Sequence, residues 1–289
     1  MSDRSSFSRT DKLEFDDMHS YWRFQESVRN ESRFIWTKEV RRFLDVVRST
    51  AIERVINLPF GSTLYRAQLG LEQEEDFDEE GGYIRPLAYD EDRMRPVPGQ
   101  TAPGRANAPG MAVLYLAFDA DTAIAEIRPW IGSSVSVGTF ITSRELRTLD
   151  VTKGLKPKPY PRFAANPDDI EPYTAEEKAN SAWVDIDRAY SRPVTRDDEP
   201  TAYIPTQILT EIFRCEGYDA LIYRSALGSR GQNIVLFDMQ DAIPFECVCY
   251  YVNEVHIKST AEEAQHTRLF NIPDNIATVI HGRPITRPE

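Results

Sequence analysis

Three polar side chains stand in otherwise apolar stretches of the sequence. Arg66 lies inside "LYRAQ", Glu126 inside "DADTAIAEIRP", and Ser225 ends "LIYRS". A guanidinium presents a planar fork of donors suited to phosphate or carboxylate. A carboxylate held in a protein site can stabilise developing positive charge. A hydroxyl can orient a neighbour through a single proton. Each residue also has an ordinary reading: an exposed alternate position of a strand, a solvated helix acid, and a turn former.

Other chemistries find little support. The three cysteines, Cys215, Cys247 and Cys249, and the four histidines, His19, His256, His266 and His281, show no zinc spacing. An odd cysteine count, with Cys247 and Cys249 two apart in one expected strand, reads as reduced thiols. "GSRGQ" lacks the Lys-Ser/Thr of a phosphate-binding loop. "GRANAPG" is not the dinucleotide fingerprint, and it precedes a strand where that fingerprint must follow one. No metal is expected. The formal net charge of −12 and pI near 5.0 disfavour direct nucleic-acid binding. The N-terminal "MSDRSSFSRTDKLEF" has no apolar core of a signal peptide, and no run reaches the roughly 20 apolar residues of a membrane span. A cytoplasmic protein with no membrane association is expected.

The elements that must position the three residues are legible in part. Residues 1–30 are polar and weakly patterned, as in a loosely ordered arm. Val40, Phe43, Leu44, Val47, Ala51 and Val55 recur at helical spacing, closed by Pro59 and Gly61. "STLYRAQLG" reads as a strand ending at Gly70. "LEQEEDFDEEGG", with its block of acids, reads as a solvated loop. "PVPGQTAPGRANAPG" is turn-rich, and "MAVLYLAF" reads as a buried strand. Asp119 or Asp121 caps a short helix that Pro129 ends. "VSVGTFITS" alternates as a strand, and "TAEEKANSAWVDIDRAY" is helical. "IPTQILTEIFRCEGYD" is a helix with Pro205 near its start and Gly217 past its end. "ALIYRS", "NIVLFD" and "FECVCYYVNEVHI" are strands. The last ~20 residues read as a mobile tail. Strands and helices do not alternate strictly, which predicts an α+β fold.

Taken together, "LYRAQ", "GRANAPGMAVLYLAFDADTAIAEIRP" and "YIPTQILTEIFRCEGYDALIYRSALGSRGQNIVLFD" resemble the RES domain family, named for an Arg, a Glu and a Ser. The resemblance covers roughly residues 60–250. The insert at 70–100, the Pro-rich stretch at 153–200 and the N-terminal helical extension depart from compact members. The division expected is 1–58 extension, 59–255 RES domain and 256–289 C-terminal tail. The resemblance implies an ADP-ribosyltransferase-like fold, with split β-sheets, surrounding helices and a cleft that holds NAD. It also implies NAD as substrate, cleaved at the nicotinamide–ribose bond by a toxin-like glycohydrolase or phosphorylase, and a helix-turn-helix antitoxin as partner. Carried over residue by residue, Arg66, Glu126 and Ser225 form the catalytic set. Arg105, in the "GRAN" loop, and Tyr115, in "LYLA", match accessory NAD-binding positions. An arginine near Glu126 would favour its ionised form, Ser225 would orient the ribose or nicotinamide, and Tyr115 would stack on a ring or pack in the core. Two alternatives belong to other classes: protein ADP-ribosylation, and a non-catalytic binding module of the same fold.

Overall fold

The fold follows from central strands that are apolar on both faces. In the computed structural model, described over residues 13–78, 81–159, 171–192, 200–227 and 231–256, eight strands form one hydrogen-bonded order. They are β1 (Val55–Leu58), β2 (Thr63–Leu69), β5 (Leu114–Ala117), β6 (Ser134–Thr142), β7 (Leu146–Asp150), β8 (Ala220–Arg224), β9 (Gln232–Leu236) and β10 (Ala242–Tyr251). Across the sheet they run β1-β7-β8-β9-β5-β2-β6-β10. All neighbours are antiparallel except β7 and β8. The crossover between that parallel pair carries α5 (Ala175–Ser191) and α6 (Ile204–Cys215), as a parallel connection requires.

The helices bury one sheet face. On β8, Leu221 and Tyr223 join the core shared with α5 and α6, while Ala220 and Ile222 join a second core on the opposite face. This is why "ALIY" is continuously apolar: a strand covered on both sides has no polar alternate positions. Helix α5 opens on a capping box of Thr174 and Glu177, and α6 carries proline in its first turn.

The helical stripe predicted from Val40 to Val55 is α2 (Lys38–Ala51), capped by Thr37 and buried through Val40, Phe43, Leu44, Val46, Val47 and Ala51. Val55 instead begins β1. The polar arm is corrected in its described part, for Ser20–Asn30 form helix α1 with Tyr21, Phe24 and Val28 buried. Phe24 stacks on Phe43 at 4.7 Å between ring centroids. Both helices contribute to the core that contains Trp183, Tyr190 and Phe213. The two N-terminal helices are therefore part of the main hydrophobic cluster. Met1–Asn253 form one unit and Glu254–Glu289 a second, in which His256 Nε2 lies 3.1 Å from Glu254 Oε1.

The acidic loop expected at 71–80 is also corrected. Glu72–Asp78 form β3, which pairs antiparallel with β4 (Gly81–Leu87) in a separate two-stranded sheet. Its polar side chains satisfy one another across the ribbon: Arg85 donates to Glu74 at 2.9 Å, and Tyr83 donates to Asp76 at 3.2 Å. A ribbon with little apolar burial does not show the alternation that sequence reading relies on. The turn at 228–230, the tail from residue 257 onward, and 160–170 and 193–199 of the Pro-rich stretch lie outside the described residues.

The expected split of the sheet takes a specific form. Strand β2 pairs with β6 at seven positions, but with β5 only at Tyr65↔Ala117. A five-stranded half, β1-β7-β8-β9-β5, thus meets a three-stranded half, β2-β6-β10, at a single register pair. Helix α4 (Ala120–Glu126) packs at this junction, in a small core of Ala67, Ala117, Ala123, Val135 and Val137.

Candidate active site

The cleft lies at the junction of the two half-sheets. It has a volume of about 390 Å³ and is lined by Arg66 and Ala67 of β2, Tyr115 to Ala117 of β5, Glu126 of α4 and Asn233 of β9, among others. Four of the five residues singled out in the sequence, Arg66, Arg105, Tyr115 and Glu126, line it. Ser225 does not, but its hydroxyl reaches Glu126.

Glu126 is placed by α4, a seven-residue helix. Asp119 caps it, accepting from the Thr122 backbone N–H at 2.7 Å and from the Thr122 hydroxyl at 2.8 Å. Two side chains converge on one oxygen of the Glu126 carboxylate. Ser225 Oγ lies 2.6 Å from Oε1, and Asn233 Nδ2 lies 2.6 Å from the same atom. A carboxylate only accepts, so the amide must present its nitrogen here. Ser225 Oγ is also 2.7 Å from Leu227 O. One proton cannot serve both acceptors, and the ionised one makes the stronger bond. Among the described residues, Oε2 accepts no hydrogen bond and no ion pair joins Arg66 to Glu126. Neutral donors support the carboxylate where a cation was expected.

Asn233 was missed. It is buried, opposite Ala117 on β5 and Tyr223 on β8. Its signal was a lone amide at the head of "NIVLF", which also reads as an ordinary strand start. Tyr223 and Tyr203 complete the wall. Burial holds the Tyr223 hydroxyl in its neutral form, raising its pKa to about 12.

Arg66 is half-buried, and its Nη1 is fully buried without a hydrogen-bond partner among the described residues. Loss of hydration, and secondarily the charge of Arg93, lower its pKa to about 10. It is nevertheless a cation at neutral pH, facing a cleft with one donor unused. Such a group is costly to bury unless something anionic meets it.

Tyr115 lines the cleft, and its hydroxyl organises the neighbouring loop. Its hydroxyl accepts from the Ala106 N–H at 2.9 Å and donates to Asn107 Oδ1 at 2.9 Å. Burial raises its pKa further above the ordinary tyrosine value. Gln207 of α6 adds donations to the carbonyls of Gly104, at 2.9 Å, and Asn107, at 2.8 Å. The "GRAN" loop is thereby pinned from two sides. Arg105 projects from it and donates to the Arg192 carbonyl at 2.7 Å.

Glycine at 231 lets the β8–β9 connection approach α4. The Ser225 N–H donates to the Gly231 carbonyl at 2.9 Å, and a Cβ on Gly231 would fall 1.9 Å from Thr122 Oγ1. Gly231→Ala is expected to push α4 away from β8 and β9 and break the Ser225–Glu126 contact. The expected cost is about 1–3 kcal/mol of overpacking, read as a lower midpoint in urea unfolding. An unchanged midpoint would show that the helix yields without cost.

The RES domain family model matches residues 83–258, more than half of the chain. The chain belongs to the RES domain family. Within this RES domain protein the matched segment contains Glu126, Ser225 and Asn233. It begins after Arg66, so Arg66 joins the site by geometry alone. The chain is similar to a solved structure, the crystal structure of the M. tuberculosis MbcT–MbcA toxin–antitoxin complex, at 13% identity and a TM-score of 0.37, covering 70% of this chain and 91% of that chain. No curated protein matches. All three cysteines of the RES protein are free thiols. Among its described residues, no group of three or more His, Cys, Asp or Glu is arranged to hold a metal ion, and no helix is long and apolar enough to cross a membrane.

Proposed function

We propose that this RES domain protein cleaves NAD at the nicotinamide–ribose bond. The observation that carries this reading is the asymmetric preparation of Glu126: one carboxylate oxygen is fixed by Ser225 and Asn233, and the other is free in a cleft that also contains an unpartnered Arg66. Heterolysis of the C–N bond sends its electron pair to the nicotinamide nitrogen, neutralising the pyridinium. The ribose is left as an oxocarbenium-like centre, as in glycoside cleavage. A fixed carboxylate beside that centre stabilises the developing charge without having to reorganise. Arg66 suits the pyrophosphate, because a guanidinium binds such oxygens in pairs. In this reading Ser225 is a positioning residue for Glu126. An acceptor then adds at the ribose carbon and loses its proton.

The family resemblance adds a helix-turn-helix antitoxin as the expected partner. The test is release of nicotinamide from NAD by the purified chain in water alone, with phosphate, and with a protein lysate. Release in any arm is expected, and the productive arm names the acceptor. No release in any of them would leave the non-catalytic binding reading in its place.

A further inference from the structure

Arg128 follows Glu126 by two residues and lines the same cleft as Arg66 and Arg105. It is the only non-glycine residue with positive φ among the described residues, at 48°. Its N–H donates to the Ala125 carbonyl at 3.0 Å, closing α4 just past the cap residue Ile127. Helices that stop this way usually place glycine there, because a side chain is strained in the left-handed region. The dipole of so short a helix favours a cation at this end only weakly. Among the described residues, the exposed guanidinium pairs with no carboxylate. The backbone thus carries strain at a side chain that makes no ion pair among the described residues.

We propose that Arg128 is a specificity-determining residue that reads a phosphate group on the ligand, together with Arg66 and Arg105. Its charge discriminates a pyrophosphate-bearing ligand from the corresponding nucleoside. This rests on the NAD reading for the identity of the natural ligand, but not for the anion preference. The turn places Arg128 directly after the helix cap, two residues from Glu126 in the chain and in the wall of the same cleft. Strain retained at one residue next to a catalytic group is the signature of a functional position.

The test is calorimetric binding of NAD, ADP and nicotinamide riboside to the wild-type chain and to Arg128→Gly. Thermal unfolding is followed in parallel. Glycine relieves the strain, so the variant is expected to melt at the same temperature as wild type or higher. Its affinity for NAD and ADP is expected to fall by roughly tenfold or more, the scale of one charge-assisted contact. Affinity for nicotinamide riboside, which has no phosphate, is expected to be unchanged. Arg128→Lys keeps the charge without the fork and is expected to restore part of the loss. Unchanged ADP affinity in Arg128→Gly, or an equal loss for nicotinamide riboside, overturns the proposal. If the wild type binds ADP through Arg128 but releases no nicotinamide from NAD, the cleavage reading fails and this one stands. If it binds neither NAD nor ADP, both fail.

Discussion

Glu126→Gln is expected to reduce nicotinamide release by roughly 10²–10³-fold, the scale seen when one preorganised electrostatic group is removed from a transition state. NAD affinity should change little. The substitution is close to isosteric, and a glutamine oxygen can still accept from Ser225 and Asn233, which both point at Oε1 in the native site. What is lost is the negative charge at the free oxygen. The effect should therefore appear in kcat and leave KM nearly unaltered. A variant as active as wild type would remove Glu126 from the chemistry. A variant that binds NAD poorly would instead show that the carboxylate acts in ground-state recognition. Unfolding curves taken alongside distinguish either outcome from a damaged fold.

The largest expected stability effect lies in the helical core. Phe24→Ala should destabilise the protein by about 3–5 kcal/mol, the usual cost of deleting a buried aromatic side chain. Phe24 is 2% exposed, and its α1 neighbours Tyr21 and Val28 are buried with it. Its cluster continues without interruption through Phe43 and Leu44 to Trp183, Ile186, Leu209 and Phe213, then to Leu221 and Val235 of the sheet. Trp183 Nε1 even donates to Thr50 Oγ1 of α2, at 3.1 Å. A cavity at Phe24 should therefore lower the midpoint of one shared transition, followed by circular dichroism in urea. An early transition for the N-terminal helices, with cleft activity preserved above it, would show that they fold separately.

What could be read from the sequence divides along physical lines. Helices α6 and α4 are legible because Asp119, Pro205 and Gly217 mark their ends, and strands β8 and β9 because burial on both faces leaves continuous apolar runs. The order of Arg66, Glu126 and Ser225 was legible through the family resemblance, and the fold brings Glu126 and Ser225 into contact. Helix α1 is hidden because its three buried apolar residues, Tyr21, Phe24 and Val28, sit among polar ones. Strand β1 is hidden because the helical stripe reads on through Val55, and β7, "LRTLD", because Arg147 and Thr148 interrupt its apolar run. Strand β3 was read as a loop because its acids lie on an exposed ribbon. Asn233 was invisible for a different reason: its importance is a relation to Glu126, 107 positions away in the chain, and no local pattern encodes such a relation.

The seam at Tyr65↔Ala117 has a consequence for how a large ligand comes and goes. Prising the two half-sheets apart there breaks one pairing, whereas separation anywhere else along β2 means undoing the seven-residue ladder to β6. Within the sheet, the width of the cleft is therefore held by one register pair, and the small core under α4 spans the same line. A dinucleotide held by Arg66 on one side and by the β5–β9 wall on the other would act as a cross-brace. The ligand itself would then supply the stiffness that the backbone lacks at this line, and its departure would set the tempo at which the molecule opens.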